Sequence, residues 1–258
     1  MSNDGSSELY EKTPFNSLLV ESGYKAQIED IRALKSDLEK IVRVSERFHP
    51  ESLQPWYARH KKVIERLRDG YGFNVPNMDI VIGPGEHDEG ARVYIVTDRI
   101  HGPELKDKQF SPAELPTARE TLDNFFSSMT QYYWDVSRQG GDYNDDLAQH
   151  NRQFIWGRRK GETEDKIWLA DLGVQTVEHK LDASSNGHLL GRLLDEGFSS
   201  YGYGLWEDIA YMERKHHIRL EGARHKLAAF MDDLLTRGPL HEWDIKKANT
   251  LKMSAKRV

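Results

Sequence analysis

Apolar positions along this 258-residue chain change their rhythm a little after the first third. Up to about residue 100 they come in short runs. Residues 17–20 form one run, Ser22-Gly23 offers a turn, residues 24–34 alternate loosely, and Ile41, Val42, Arg43 and Val44 form another run. Such β-branched stretches fit a pleated surface, so a small antiparallel sheet is expected here. One helix interrupts it. Pro50 and Pro55 stand at its start, Trp56, His60, Val63, Ile64 and Leu67 fall at helical spacing, and Gly70 and Gly72 close it. Residues 78–82 and 91–96 are two more apolar runs. The turn residues Gly83, Pro84 and Gly85 and the acidic segment 86–89 lie between them, as in an exposed hairpin.

Beyond the connector 97–102 the period lengthens. Leu122, Phe125, Phe126, Met129, Tyr132, Tyr133 and Val136 form one helical stripe, with Pro116 in the first turn and Gly140-Gly141 after the end. Two short strands are expected at 153–156 and 167–170, joined by a charged, solvated loop over 157–165. Residues 184–237 hold two or three helical patterns, the clearest at 223–235. No internal repeat is present. The expected fold class is α+β: a small antiparallel sheet with one helix, then a mainly helical part containing a strand hairpin. The corresponding divisions are a flexible lead-in over 1–16, a first lobe over 17–97, a second lobe over 98–240 and a basic tail over 241–258.

Composition narrows the chemistry. Hydrophobic residues make up 38% and charged residues 30%, and no apolar run approaches the ~20 residues a membrane-spanning helix needs. The start of the chain lacks the basic and apolar stretches of a secretory signal, so a cytoplasmic protein with no membrane partner is expected. There is no cysteine, which excludes disulfides, thiolate nucleophiles and thiolate-bound metals. A net charge of −6 argues against a nucleic-acid partner. Only the end is basic, with Lys246, Lys247, Lys252, Lys256 and Arg257; it reads as a solvated terminus, or else as a contact for an anionic partner.

Two motifs follow the long helix. Asp146 and Asn151 are five residues apart and can share one loop, the carboxylate orienting an attacking hydroxyl and the amide carbonyl reaching a metal ion. Asp171-Leu172-Gly173 comes directly after the second short strand, where a carboxylate is well placed to bind a phosphate-bridging cation. Each pattern alone recurs by chance in a chain of this length. Their order gives them weight, because a hairpin between them returns Asn151 and Asp171 to the same end.

In these residues the chain resembles the protein-kinase-like superfamily, and more the aminoglycoside-phosphotransferase-like branch than typical protein kinases. Asp146 to Asn151 is similar to the catalytic loop, and Asp171-Leu172-Gly173 to the metal-binding motif. The resemblance implies a two-lobed fold, ATP and Mg²⁺ as cofactors, and a small-molecule or protein hydroxyl as acceptor. It implies Asp146 as catalytic base, Asn151 and Asp171 as metal ligands, and Arg43 and the short loop at Gly23 as phosphate contacts. Thr97 would guard the back of the nucleotide pocket, and residues 98–100, with Asp98 and Ile100, would hold the adenine ring. Arg43 stands where lysine is usual, and its carboxylate partner would be Glu65, which can point inward or to solvent. No histidine-arginine pair precedes Asp146, and no long activation segment follows Gly173.

Other readings stay open. The same fold without turnover would act as a pseudokinase, a nucleotide-binding or regulatory module. Asp142, Asp145, Asp146 and Asp171 could instead form the carboxylate cluster of a metal-dependent hydrolase. His216-His217 reads as a surface pair, since neighbours on a helix point apart. The aromatic string 198–206 reads as packing between helices, or as the lining of an acceptor pocket.

Overall fold

Three of the short apolar runs pair into one antiparallel sheet. The computed structural model of the protein describes residues 28–45, 53–84, 91–144, 147, 154–170, 176–194 and 204–255. Strands β1 (Lys40–Ser45), β2 (Met78–Pro84) and β3 (Ala91–Asp98) lie in the order β1-β3-β2. The register sets Val42 opposite Val96, and Val81 opposite Tyr94. Side chains alternate along a strand, so these four share a face, and Leu34 of helix α1 (Ile28–Ser36) packs on it. Arg43, Ile95, Thr97 and Ile80 belong to the other face.

Helix α1 corrects the reading of residues 17–97, which among the described residues hold two helices rather than one. Residues 24–34 suggested alternation, yet Ile28, Ile31 and Leu34 recur every three residues, a helical spacing. Asp37 stops the helix: its carboxylate accepts the Glu39 N–H at 2.8 Å and turns the chain into β1. Strand β2 also runs through Gly83 and Pro84, which therefore do not form the expected turn; Gly85, the tip 86–89 and the run 17–20 lie outside the described residues.

Helix α2 (Leu53–Glu65) forms where expected and widens into a π turn over Arg66–Gly70 before Gly72, at φ +70°, ends it. His60, Val63, Ile64 and Leu67 are buried along its inner face. Helix α3 (Leu115–Gln139) buries the whole predicted stripe. Its partner is α6 (Glu221–Arg237), with Trp134 stacked on Phe230 at 5.8 Å and the Trp134 indole N–H donating to Asp233 at 2.7 Å.

Two strand ribbons follow α3. β4 (Gly141–Asn144) pairs with β7 (Thr176–His179), and β5 (Phe154–Gly157) pairs with β6 (Lys166–Leu169). The β5–β6 hairpin matches the sequence reading. β4 and β7 were not foreseen. Helices α4 (Ala183–Leu194), α5 (Leu205–His216) and α7 (Glu242–Ala255) complete the described chain, which is α+β. A continuous core joins Val63, Ile64 and Leu67 of α2 to Phe126 and Tyr132 of α3, Leu190 of α4, Ile209 of α5 and Leu227 of α6. Among the described residues no helix is long and apolar enough to cross a membrane.

Two surface readings change. The basic end is not a loose terminus up to residue 255: Lys246 pairs with Glu242 one turn earlier at 2.7 Å, and Ala248 is fully buried where α7 meets α4 and α6. His216 is not a surface residue. It is 7% exposed and packs on Phe110 at 4.8 Å between ring centroids, while His217 takes the left-handed conformation that ends α5.

Candidate functional site

The face of the sheet turned away from α1 brings two expected nucleotide residues together. Arg43 lies directly across from Ile95, and Thr97, two residues farther along β3, shares their face. Arg43 is exposed and Thr97 half-buried. Glu65 is not the partner of Arg43. It is 53% exposed on its side chain and lies 3.9 Å from Lys61 on its own helix, so it points to solvent.

The connector after β3 is held on both sides. The Asp98 carboxylate accepts from Lys40 Nζ at 2.7 Å and Asn77 Nδ2 at 2.9 Å, and Arg159 stands 3.7 Å away. Its side chain is thus a brace between β1, β2 and the β5–β6 loop. The Asp98 N–H donates to the Asn77 carbonyl, the Arg99 N–H to the Glu39 carbonyl, and the His101 N–H to the Arg158 carbonyl. Of residues 98–101, Ile100 alone has an N–H with no partner among the described residues. The loop 157–165, expected to be merely solvated, closes over this brace through Arg159 and through Lys160, 3.8 Å from Glu39.

Backbone crosses backbone just beyond. His101 and Arg158 bridge, Trp156 N–H donates to the Pro103 carbonyl, and Leu105 N–H donates to the Phe154 carbonyl at 2.7 Å. Glycine is required at both crossing points. A Cβ on Gly102 would sit 2.7 Å from Gly157 Cα, and one on Gly157 would sit 2.8 Å from the His101 carbonyl carbon.

Asp146, Asn151, Asp171 and Gly23 lie outside the described residues, and so does Asp145. The strand ends that flank the two motifs are described. Asn144, at the end of β4, pairs with Thr176 at the start of β7; Phe154, at the start of β5, pairs with Leu169 at the end of β6. The segments 145–153 and 170–175 therefore leave and rejoin the ribbons at the same ends. Leu147, next to Asp146, is fully buried in the main core. The Asn144 N–H donates to the buried Tyr132 hydroxyl at 3.1 Å, and burial raises the pKa of that phenol.

Helix α2 grips the β4–β7 ribbon with two consecutive residues, neither of which the sequence singled out for this part. Arg59 bonds Asp142 of β4 with both nitrogens of its fork, Nε at 3.0 Å. His60, fully buried, sets Nδ1 3.4 Å from the Thr176 hydroxyl of β7, and burial pushes its pKa down to about 4. The only sequence signal for His60 was its place on the apolar face of α2. Of the four carboxylates suggested as a cluster, Asp142 pairs with Arg59, and the other three lie outside the described residues. Among the described residues no group of three or more His, Asp or Glu side chains could hold a metal ion.

Of the aromatic string, Trp206 packs under the Arg224 guanidinium at 4.9 Å, beside the buried Glu213 that Arg224 pairs with. This is packing between α5 and α6; Tyr201 and Tyr203 lie outside the described residues. A scan of protein-family models finds none that matches the chain, and a search of curated proteins finds no match either.

Proposed function

We propose that the chain is a two-lobed kinase-like domain that transfers the terminal phosphoryl group of ATP to a hydroxyl acceptor. The observation that carries this reading is the double ribbon, β4 with β7 and β5 with β6, whose shared ends frame both motif-bearing segments. Asp146 follows Asn144 by two residues, Asn151 precedes Phe154 by three, and Asp171 follows Leu169 by two. At about 3.8 Å per residue, each Cα stays within roughly 8–11 Å of its strand end. Asn151 and Asp171 thus flank one strand pair, Phe154 with Leu169, and Asp146 follows the pair Asn144 with Thr176.

The connector suits an adenine ring. Ile100 offers an N–H with no partner among the described residues, and Thr97 and Arg43 share one face of the sheet that precedes it. The planar guanidinium of an arginine such as Arg43 can fork onto phosphate oxygens. Asp146 orients the acceptor hydroxyl and takes its proton. Bound Mg²⁺, with Asn151 and Asp171 as its protein ligands, would neutralise charge on the transferred phosphoryl group.

A second reading keeps the nucleotide site without turnover. It is favoured by α1, which occupies the place where a phosphate-loop hairpin would return to β1, and by Glu65 lying against Lys61 rather than Arg43. One experiment separates the readings. Wild-type protein with Mg·ATP and a broad acceptor panel should consume ATP, and Asp146→Ala or Asp171→Ala should abolish it while leaving the fold intact. A melting shift with Mg·ATP but no turnover would select the pseudokinase. No shift at all would sink both.

A further inference from the structure

An open surface cavity of about 480 Å³ between loop 106–109 and helix α5 is lined by Asp107, Gln109, Tyr211, Arg214 and Lys215. That volume is in the range of small-molecule sites, roughly 300–1,000 Å³. Its position ties it to the proposed centre. Leu105, two residues before Asp107, donates its N–H to Phe154, which follows Asn151 by three residues. The loop is wedged in place by Phe110, packed edge-on against Trp156 at 4.9 Å and against His216 at the end of α5.

The lining has an unbalanced charge. Lys215 is half-buried and directs its ammonium to the Lys106 carbonyl, which also accepts the Tyr211 hydroxyl at 3.1 Å. Among the described residues Lys215 has no carboxylate partner within ion-pair distance, and desolvation lowers its pKa despite the charge of Asp107. Arg214 is 66% exposed on its side chain and reaches only Glu207, at 3.5 Å. Two cations thus border one cavity with a single carboxylate, Asp107, in its lining. A phosphate carries about −1.5 to −2 charges near neutral pH and accepts hydrogen bonds on three oxygens. It matches an Arg fork and a Lys ammonium side by side, whereas a neutral polyol brings no charge to either.

We infer that this cavity is the acceptor subsite, and that the acceptor is a small hydroxyl compound already bearing a phosphate group. Arg214 and Lys215 hold the phosphate, while Asp107 and Gln109 accept from and donate to its hydroxyls. The acceptor role rests on the phosphotransferase reading; the anion site itself does not.

The test uses the full chain, with glucose 6-phosphate and inorganic phosphate as charged probes and glucose as the neutral one, titrated and followed by NMR. Glucose 6-phosphate should bind saturably and glucose at least about tenfold more weakly. The double variant Arg214→Gln/Lys215→Met should lose at least about tenfold in affinity for glucose 6-phosphate. Lys226→Gln, a cation on α6, should change nothing, and unchanged melting temperatures would show that the variants fold. Equal binding of glucose and glucose 6-phosphate overturns the inference, as does full affinity in the double variant or no saturable binding of either charged probe. A Mg·ATP melting shift in the wild type keeps the two claims apart. Its absence removes the phosphotransferase reading and the acceptor role, while the titration still decides the anion site. Its presence with unaltered anion binding in the double variant removes this inference alone.

Discussion

Gly102→Ala asks the connector between β3 and α3 to hold a methyl group where another backbone already lies. The new Cβ would fall onto the Trp156 carbonyl oxygen, 2.7 Å from Gly157 Cα and 2.9 Å from the Trp156 carbonyl carbon. All three are main-chain atoms of β5, so no side-chain rotation can relieve the overlap. Regaining ordinary carbon contacts of about 3.5–4.0 Å requires the two segments to part by roughly 1 Å. Three hydrogen bonds span that seam: His101 N–H to Arg158 O at 2.9 Å, Arg158 N–H to His101 O at 3.2 Å, and Trp156 N–H to Pro103 O at 3.1 Å. Each contributes about 0.5–1.5 kcal/mol net, so the substitution should cost about 2–4 kcal/mol. Urea unfolding followed by tryptophan fluorescence measures it. At a slope of about 3 kcal/mol/M the midpoint should fall by roughly 1 M with no change in slope. Gly191→Ala is the control, because a Cβ there has open space inside helix α4. It should raise stability by about 0.5–1 kcal/mol. A Gly102→Ala midpoint indistinguishable from wild type would show that the crossing yields freely, and the reasoning would fail.

Three further changes probe the same framework. His60 is buried with its pKa lowered from 6.5 to about 4, so it is neutral when folded but takes up a proton when unfolded. Its contribution is fully present above pH 6.5, is lost as pH falls toward 4, and amounts to about 3 kcal/mol across that window; His60→Leu should flatten this part of a stability-versus-pH profile, and an unchanged profile would refute the assignment. Asp123 accepts the Gly222 and Ala223 N–H groups at 3.1 and 2.8 Å and so caps α6 from a neighbouring helix. Asp123→Ala should cost about 1–2 kcal/mol by urea unfolding, and no loss would mean that water replaces the cap. Asp142→Asn weakens the exposed fork with Arg59, and a stability loss of only about 0.5–1 kcal/mol, shrinking with added salt, is expected from chemical denaturation at two ionic strengths.

The sequence was most legible where one period governed many residues. The stripe of α3 from Leu122 to Val136 is buried as predicted, since seven apolar side chains at helical spacing permit only one orientation toward a core. The hairpin β5–β6 was legible because two short apolar runs, in FIWG and KIWL, stand on either side of a charged loop. β4 and β7 were not: each has four residues, and neither GDYN nor TVEH alternates enough to declare a face, so their pairing is a tertiary effect. Helix α1 was misread because a loose alternation over 24–34 outweighed the three-residue repeat of Ile28, Ile31 and Leu34. At the candidate site, the shared face of Arg43 and Thr97 follows from strand register once the strands are known. The brace around Asp98 does not, because Lys40, Asn77 and Arg159 come from three separate stretches of chain.

The clasp of α2 on the β4–β7 ribbon bears on how that helix communicates with the segments the ribbon carries. Arg59 and His60 are adjacent, and side chains one residue apart on a helix diverge by about 100°. Both nevertheless reach the same ribbon, Arg59 at Asp142 of β4 and His60 at Thr176 of β7. This is possible because α2 lies across paired strands instead of along one of them. The strands it clasps lead directly into 145–153 and out of 170–175, the segments that carry Asp146, Asn151 and Asp171. A displacement of α2 cannot shift one segment's anchor without the other, since the β4–β7 ladder joins them. A ligand bound by either segment would conversely be felt at α2, and it would be read there as increased hydrogen-exchange protection of the Arg59 and His60 amides.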